Sequence, residues 1–245
     1  MEKIKNIRKK LRHQRSVRRR KLGLSTPTQI ICVSFIIVIA LGTLLLTLPI
    51  ASRHGRLDVL NAMFTATSAT CVTGLVVRDT WTQFTWFGQA VVLLLIQVGG
   101  LGLVTLTSFF ALAMRRRMGF RDLRLLGESV SADGYDQAKS VLKIVVGLAA
   151  MFEGIGILLL LFAFVPQFGL EGVWISVFTA ISAFCNAGFD LFGRFGAYSS
   201  LVPYVNNYYV QAVIMFMIIS GGLGFMVWVE LCQWYKKRRL SLHAK

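Results

Sequence analysis

FTATSATCVTGL, residues 64–75, returns as FTAISAFCNAGF at residues 178–189. Seven of the twelve positions are identical: Phe64/Phe178, Thr65/Thr179, Ala66/Ala180, Ser68/Ser182, Ala69/Ala183, Cys71/Cys185 and Gly74/Gly188. Ordinary residue frequencies give about one match. Every pair is 114 positions apart, which marks a structural repeat rather than a shared composition. Each copy follows one long apolar segment and precedes another.

The length of the repeat decides its reading. Asp58 is expected to cap a helix that ends at Thr70, and thirteen residues rise about 20 Å. A bilayer core is about 30 Å thick, so this helix is interfacial or re-entrant. Ala62, Thr65, Ala66, Ser68 and Ala69 are small, which favours packing inside protein. We therefore expect two re-entrant pore helices, each ending in an ion-filter loop. Irregular backbone at membrane depth is tolerated only where it is buried in protein or lines a watery path. A cation on such a path exchanges its water shell for protein oxygen, and rings of backbone carbonyls supply that oxygen. Aiming several carbonyls at one axis takes unusual dihedrals, which Gly74 and Gly188 are placed to adopt.

Composition agrees with a membrane protein. The 245 residues are 55% hydrophobic and 16% charged, with mean hydropathy +0.63. Soluble domains carry about 25% charge. The net charge of +16 is confined to particular segments. Residues 1–21, 115–143 and 236–245 hold eleven, seven and five Lys/Arg; only Arg53, Arg56, Arg78 and Arg194 lie elsewhere. These segments alternate with the apolar runs, as the positive-inside rule requires. A basic face on anionic cytoplasmic lipid accounts for the charge. No nucleic-acid reader motif accompanies it, so no nucleic-acid partner is expected. The first apolar run is too long for the core of a cleavable signal sequence.

The fold class is all-α integral membrane, built of tandem span–pore-helix–filter-loop–span repeats. A basic cytoplasmic tail (1–23) precedes the first repeat (24–117). Its spans are expected at 28–49 and 84–114, with an outer return at 76–83. A cytoplasmic connection (118–140) leads to the second repeat (141–239). There a span covers 141–165, an outer turn 166–171, a pore helix 172–184 and a final span 207–235. Residues 240–245 form a second tail, and both ends are expected in the cytoplasm of a multi-pass plasma-membrane protein.

These motifs resemble the Trk/Ktr/HKT superfamily of potassium transporters, whose filters are similar to the potassium-channel TVGYG but keep only its first glycine. Residues 65–75, IQVGGLG at 96–102 and CNAGF at 185–189 most resemble the KtrB subunit. The resemblance implies that Cys71, Val72, Thr73 and Gly74 offer carbonyls from one repeat, and Cys185, Asn186, Ala187 and Gly188 from the other. It implies K⁺ as the transported ion, held at filter carbonyls only, with no cofactor and no enzyme activity. Asn186-Ala187-Gly188 departs further from the channel pattern than Val72-Thr73-Gly74, which leaves a Na⁺-permeable member as the alternative. The family has four such units in one chain, and two are present here. The chain is thus expected to be the N-terminal half of a longer protein, with a half-transporter that conducts nothing without two further repeats as a further alternative; pairing of two copies is the other route to four. Family members also look like homodimers that associate with a cytosolic nucleotide-binding regulatory ring.

Other residues carry weaker signals. Glu153 lies mid-span; intramembrane acids are costly and default to function, yet a hydrogen bond to a neighbouring helix is the favoured reading. Asp79 and Asp190 follow the two filters, either as outer-mouth acids that concentrate cations or as solvated loop charges. Two Gly-Gly-Leu-Gly stretches, at 99–102 and 221–224, serve as hinges or as close-packing faces, and packing is preferred. They lie 122 residues apart rather than 114, so the second outer connection is about eight residues longer. Cys32, Cys71, Cys185 and Cys232 have no metal-ligand spacing and are expected as small buried hydrophobes. A nucleophilic role for Cys71 or Cys185 lacks a histidine or other base within reach. The tryptophans near span ends suggest an interfacial belt.

Overall fold

The computed structural model describes residues 27–102, 135–223 and Trp228. Both basic tails, most of the cytoplasmic connection, Cys232 and Gly224 lie outside the described residues. The order is α1 (Pro27–Leu46), a 3-10 turn (Pro49–Ala51), α2 (Val59–Thr70), α3 (Thr80–Gln83), α4 (Trp86–Gly100), α5 (Tyr135–Phe168) and α6 (Leu170–Phe184). Two 3-10 turns (Phe192–Phe195, Val202–Tyr204) then lead to α7 (Tyr208–Gly222). Among the described residues there is no sheet, only an antiparallel bridge between Ser52 and Phe84.

The packing sets α2 and α6 between the helices that flank them. α2 lies against α1 and α4, and α6 lies against α5 and α7. Ala62, Thr65, Ala66, Ser68, Ala69 and Thr70 of α2 are buried. The matching residues of α6, from Ser176 to Phe184, are buried too, and Ile175 and Phe178 are buried in addition. The outer helices show the reverse: Ile36 and Leu44 of α1, Phe162 of α5 and Ile219 of α7 are more than 60% exposed. Large apolar side chains facing outward suit a lipid solvent. Within α5, Val145–Phe168 is 24 residues long with mean hydropathy 2.4, long and apolar enough to cross a membrane. The other apolar helices are shorter over the described residues.

Three local expectations are corrected. First, α5 begins at Tyr135, inside the expected connection, and runs through Pro166 to Phe168 rather than ending at Val165. A proline forfeits one helical hydrogen bond and disfavours helix just before it. Aromatic packing outweighs that loss: Phe168 lies 6.3 Å from buried Phe164 and 5.8 Å from Phe195. Tyr204 also donates its hydroxyl to Gln167 Oε1 at 2.8 Å. The expected outer turn therefore shrinks to Gly169, and α6 starts at Leu170. Second, Asp58 occupies the N-cap position of α2 without a side-chain cap bond. Third, Trp174 and Trp228 are partly buried against the core. Trp228 packs 4.4 Å from Phe152, and both indole N–H groups have protein acceptors.

Candidate functional site

α2 and α6 end alike. The Thr73 N–H donates to the Ser68 carbonyl (3.0 Å) and the Val72 N–H to Ala69 (3.3 Å). The equivalent bonds run from Ala187 to Ser182 (2.8 Å) and from Asn186 to Ala183 (3.1 Å). This is the Schellman pattern, which satisfies the last helix carbonyls and places the residue after the C-cap in the left-handed region. That residue is Val72 (φ 56°) in one turn and Asn186 (φ 57°) in the other. Asparagine tolerates the conformation; a β-branched valine is strained in it. Two residues later Gly74 (φ 72°) and Gly188 (φ 73°) are left-handed again. Sequence reading named Val72 and Asn186 among the filter residues but expected the left-handed conformation only at the glycines, because the usual signal for it is glycine itself.

The two turns touch. A Cβ on Gly74 would lie 2.8 Å from the Ala187 carbonyl oxygen and 3.4 Å from Gly188 Cα. One on Gly188 would lie 3.3 Å from Gly74 Cα. Among the described residues, no protein donor bonds to the carbonyls of Cys71, Val72, Thr73, Gly74, Cys185, Asn186, Ala187 or Gly188. The N–H groups of Cys71, Val72 and Thr73, and of Cys185, Asn186 and Ala187, are spent on helix carbonyls, and the acceptors are left over.

The Gly-Gly pairs press on these turns. Gly99 backs onto the Thr70 carbonyl and Gly221 onto the Phe184 carbonyl, each too closely for a side chain. Gly100 lies against the Cys185 side chain. Cys185 is buried, but Cys71 and Cys32 are exposed, against the expectation of buried cysteines. Cys185 packs under α4, against Gly100 and Gln97.

Two glutamines of α4 tie the repeats together, and neither was singled out from sequence. Gln89 is fully buried and accepts from Trp174 Nε1 at 2.7 Å. Gln97 Nε2 donates to Glu153 Oε1 at 2.7 Å, and its Oε1 lies 3.9 Å from Cys185 Sγ. Glu153, 8% exposed, thus has a partner on a neighbouring helix.

The two acids differ from one another. Asp79 is not a solvated loop charge. It is buried, and its carboxylate accepts from the Thr82 N–H (2.8 Å) and the Tyr198 N–H (3.0 Å). Asp190 is half-buried and accepts from the Phe192 N–H at 2.9 Å. Burial holds its carboxyl above the usual carboxylate range, and the nearby Asp79 charge adds to the rise; bonds from Phe192 and Ser200 act against it. Asp190, Ser182, Asn186, Ser200 and Ile214 help line a cavity of about 210 Å³ beside the second turn.

The chain matches the TrkH cation transport protein family over residues 4–245. It belongs to that family. It is 36% identical over 222 residues to the potassium/sodium uptake protein NtpJ of Enterococcus hirae. It is 38% identical over 221 residues to the Ktr system potassium uptake protein B of Bacillus subtilis, and 36% over 220 to the protein of that name in Vibrio alginolyticus. These alignments take in 90%, 90% and 89% of this chain, and 48%, 48% and 47% of the relatives. The chain spans about half the length of the curated relatives it matches. The KtrB-type likeness drawn from the repeat and IQVGGLG therefore holds, as do membership of a membrane cation-transport family and an all-helical fold.

Proposed function

We propose that this chain forms part of a transmembrane pathway for K⁺ uptake, with α2 and α6 as re-entrant pore helices. Cys71, Val72, Thr73 and Gly74, with Cys185, Asn186, Ala187 and Gly188, contribute carbonyls to an ion filter. One observation carries the reading: two touching, left-handed turns whose carbonyls have no protein partner among the described residues. Unpaired carbonyls are costly in a low-dielectric setting, and a desolvated cation is the ligand that repays eight of them. The C-terminal ends of α2 and α6, at the base of the turns, add negative dipole character there. K⁺ is cargo, and the pathway performs no bond-making chemistry and needs no cofactor. Asp190 adds negative charge beside the second turn. Na⁺ is the second candidate ion, favoured by the asymmetry between Val72-Thr73 and Asn186-Ala187 and by the name of the Enterococcus relative.

The relatives named for a Ktr system suggest work within a multi-component assembly. Pairing into a dimer, a cytosolic nucleotide-binding regulatory partner and cytoplasmic chain ends belong to the same proposal. Completion of the ring of carbonyls by further units belongs to it as well. The test is Rb⁺ and Na⁺ flux in vesicles that hold the chain with the further units completing its ring, alongside rescue of a K⁺-uptake-deficient cell by the same assembly. Gly74→Ser is expected to abolish Rb⁺ flux or its preference over Na⁺. Unchanged flux and selectivity in that variant reject the filter.

A further inference from the structure

The second outer connection has about eight residues more than the first by the spacing of the repeats, and the structure shows what residues 196–201 of it do. They cross from the second repeat onto the first. Tyr198 donates its hydroxyl to the Val77 carbonyl at 2.9 Å, three residues beyond Gly74. Its N–H donates to Asp79 Oδ2 at 3.0 Å. Asp79 Oδ1 meanwhile accepts from the Thr82 N–H, capping α3. Gly193 lies against the Asp79 carboxylate with no room for a Cβ. On the other side, Ser200 lines the same cavity as Asp190, two residues beyond Gly188. Ser199 Oγ donates to the Phe192 carbonyl at 2.7 Å and closes the loop on itself.

The backbone of this strap is strained. Tyr198 (φ 64°) and Ser200 (φ 47°) are both left-handed without being glycine. Such conformations persist where surrounding contacts over-determine them, and they gather at functional sites. Here they point one residue at each exit segment: Tyr198 to the chain leaving the first turn, Ser200 to the chain leaving the second.

We infer that Asp79 and Tyr198 are positioning residues that hold the exits of both turns in one register and so set the ion preference of the filter. The inference rests on the filter reading above. Neither residue touches the ion; each acts through the backbone between Val77 and Gly74. The carboxylate of Asp79 has both oxygens engaged by backbone donors of different repeats, which no solvated loop charge would do.

The purified chain in detergent tests this by thermal unfolding in K⁺ and in Na⁺. The parent is expected to unfold at a higher temperature in K⁺. Tyr198→Phe deletes one phenol-to-carbonyl bond without changing charge and is expected to shrink the K⁺–Na⁺ difference by about half or more. Asp79→Asn, which keeps one acceptor and loses the other, is expected to do the same. Tyr209→Phe is the matched control, since its hydroxyl donates to the Leu159 carbonyl at the same 2.9 Å, on the α7–α5 contact. It is expected to lower both unfolding temperatures equally. If Tyr198→Phe behaves like Tyr209→Phe, the strap is structural only and the inference is overturned, while the filter reading stands on the parent's K⁺ dependence. If the parent shows no difference between K⁺ and Na⁺, the inference falls; if neither ion raises the parent's unfolding temperature above that in choline, the filter reading falls as well. Should Asp79→Asn not fold, Tyr198→Phe alone decides.

Discussion

Replacing Gly74, Gly188 and Gly55 by alanine, one at a time, separates backbone strain from the contact between the turns. All three are left-handed, at φ 72°, 73° and 85°. Gly55 has nothing within 4 Å of the added Cβ, so its alanine meets conformational strain alone. That strain is about 1–2 kcal/mol, offset by about 0.4–1 kcal/mol from the stiffer unfolded chain. The alanine at Gly74 meets the same strain and also the Ala187 carbonyl oxygen at 2.8 Å. This neighbour is backbone, which cannot swing aside like a side-chain tip. Overpacking of that kind adds about 1–3 kcal/mol. Gly188 is intermediate, with Gly74 Cα at 3.3 Å, a gap that closes by a few tenths of an ångström. The expected order of destabilisation is Gly74→Ala, then Gly188→Ala, then Gly55→Ala. The first and last differ by roughly 10- to 100-fold in the folded-to-unfolded ratio, at about 1.4 kcal/mol per decade. Reversible unfolding in mixed micelles measures it, and Rb⁺ flux should fall in the same order because the displaced oxygen is a proposed ion ligand. Equal destabilisation by Gly74→Ala and Gly55→Ala would falsify the contact between the turns and the shared axis with it.

Three further outcomes follow from single contacts. Glu153→Leu strands the Gln97 amide and should cost about 1–3 kcal/mol in the same unfolding assay, whereas Glu153→Gln keeps an acceptor and should cost clearly less. Equal losses would mean that the 2.7 Å bond does not form. Val72→Asn copies the second turn into the first and should stabilise by about 1 kcal/mol, since asparagine visits the left-handed region at lower cost; no gain would mean that Val72 is not held there. The third concerns pH. Asp190 binds its proton more tightly folded than unfolded, so between the two pKa values the native state carries more protons. Stability should therefore rise as pH falls from neutral through the raised pKa and level off below the unfolded one. Asp190→Asn should remove that part of the slope, seen as a difference between parent and variant denaturation curves across pH; identical slopes would contradict the burial of the carboxyl.

The repeat was legible because it obeys two simple constraints: a helix too short to cross, and a glycine where the chain must turn left. Both are properties of residues taken singly. What stayed hidden depends on pairs. Nothing in the order of residues says that the carboxylate of Asp79 will meet the N–H of Tyr198, 119 positions away. Gln89 and Gln97 read as ordinary polar interruptions of an apolar helix until Trp174 and Glu153 are seen opposite them. Pro166 signals an end, and only the aromatic cluster around Phe164 and Phe168 explains why the helix runs past it.

Val72 shows best why the hidden part belongs to the site. A glycine there would make the same Schellman turn without strain, yet it would also leave the turn free to take other conformations, at a larger entropy loss on folding. A valine forced left-handed has few alternatives once Thr73 has bonded to the Ser68 carbonyl and Gly99 has closed on Thr70. The donors of the turn are then fixed toward the helix, and its carbonyls have no internal partner to return to. Among the described residues none satisfies them, and under the proposed filter a fixed set of oxygens would distinguish ions in a way that a floppy set does not. Strain at Val72 and tight seating at Gly99 thus serve one end: they remove the freedom by which the turn would otherwise fold back on its own hydrogen bonds.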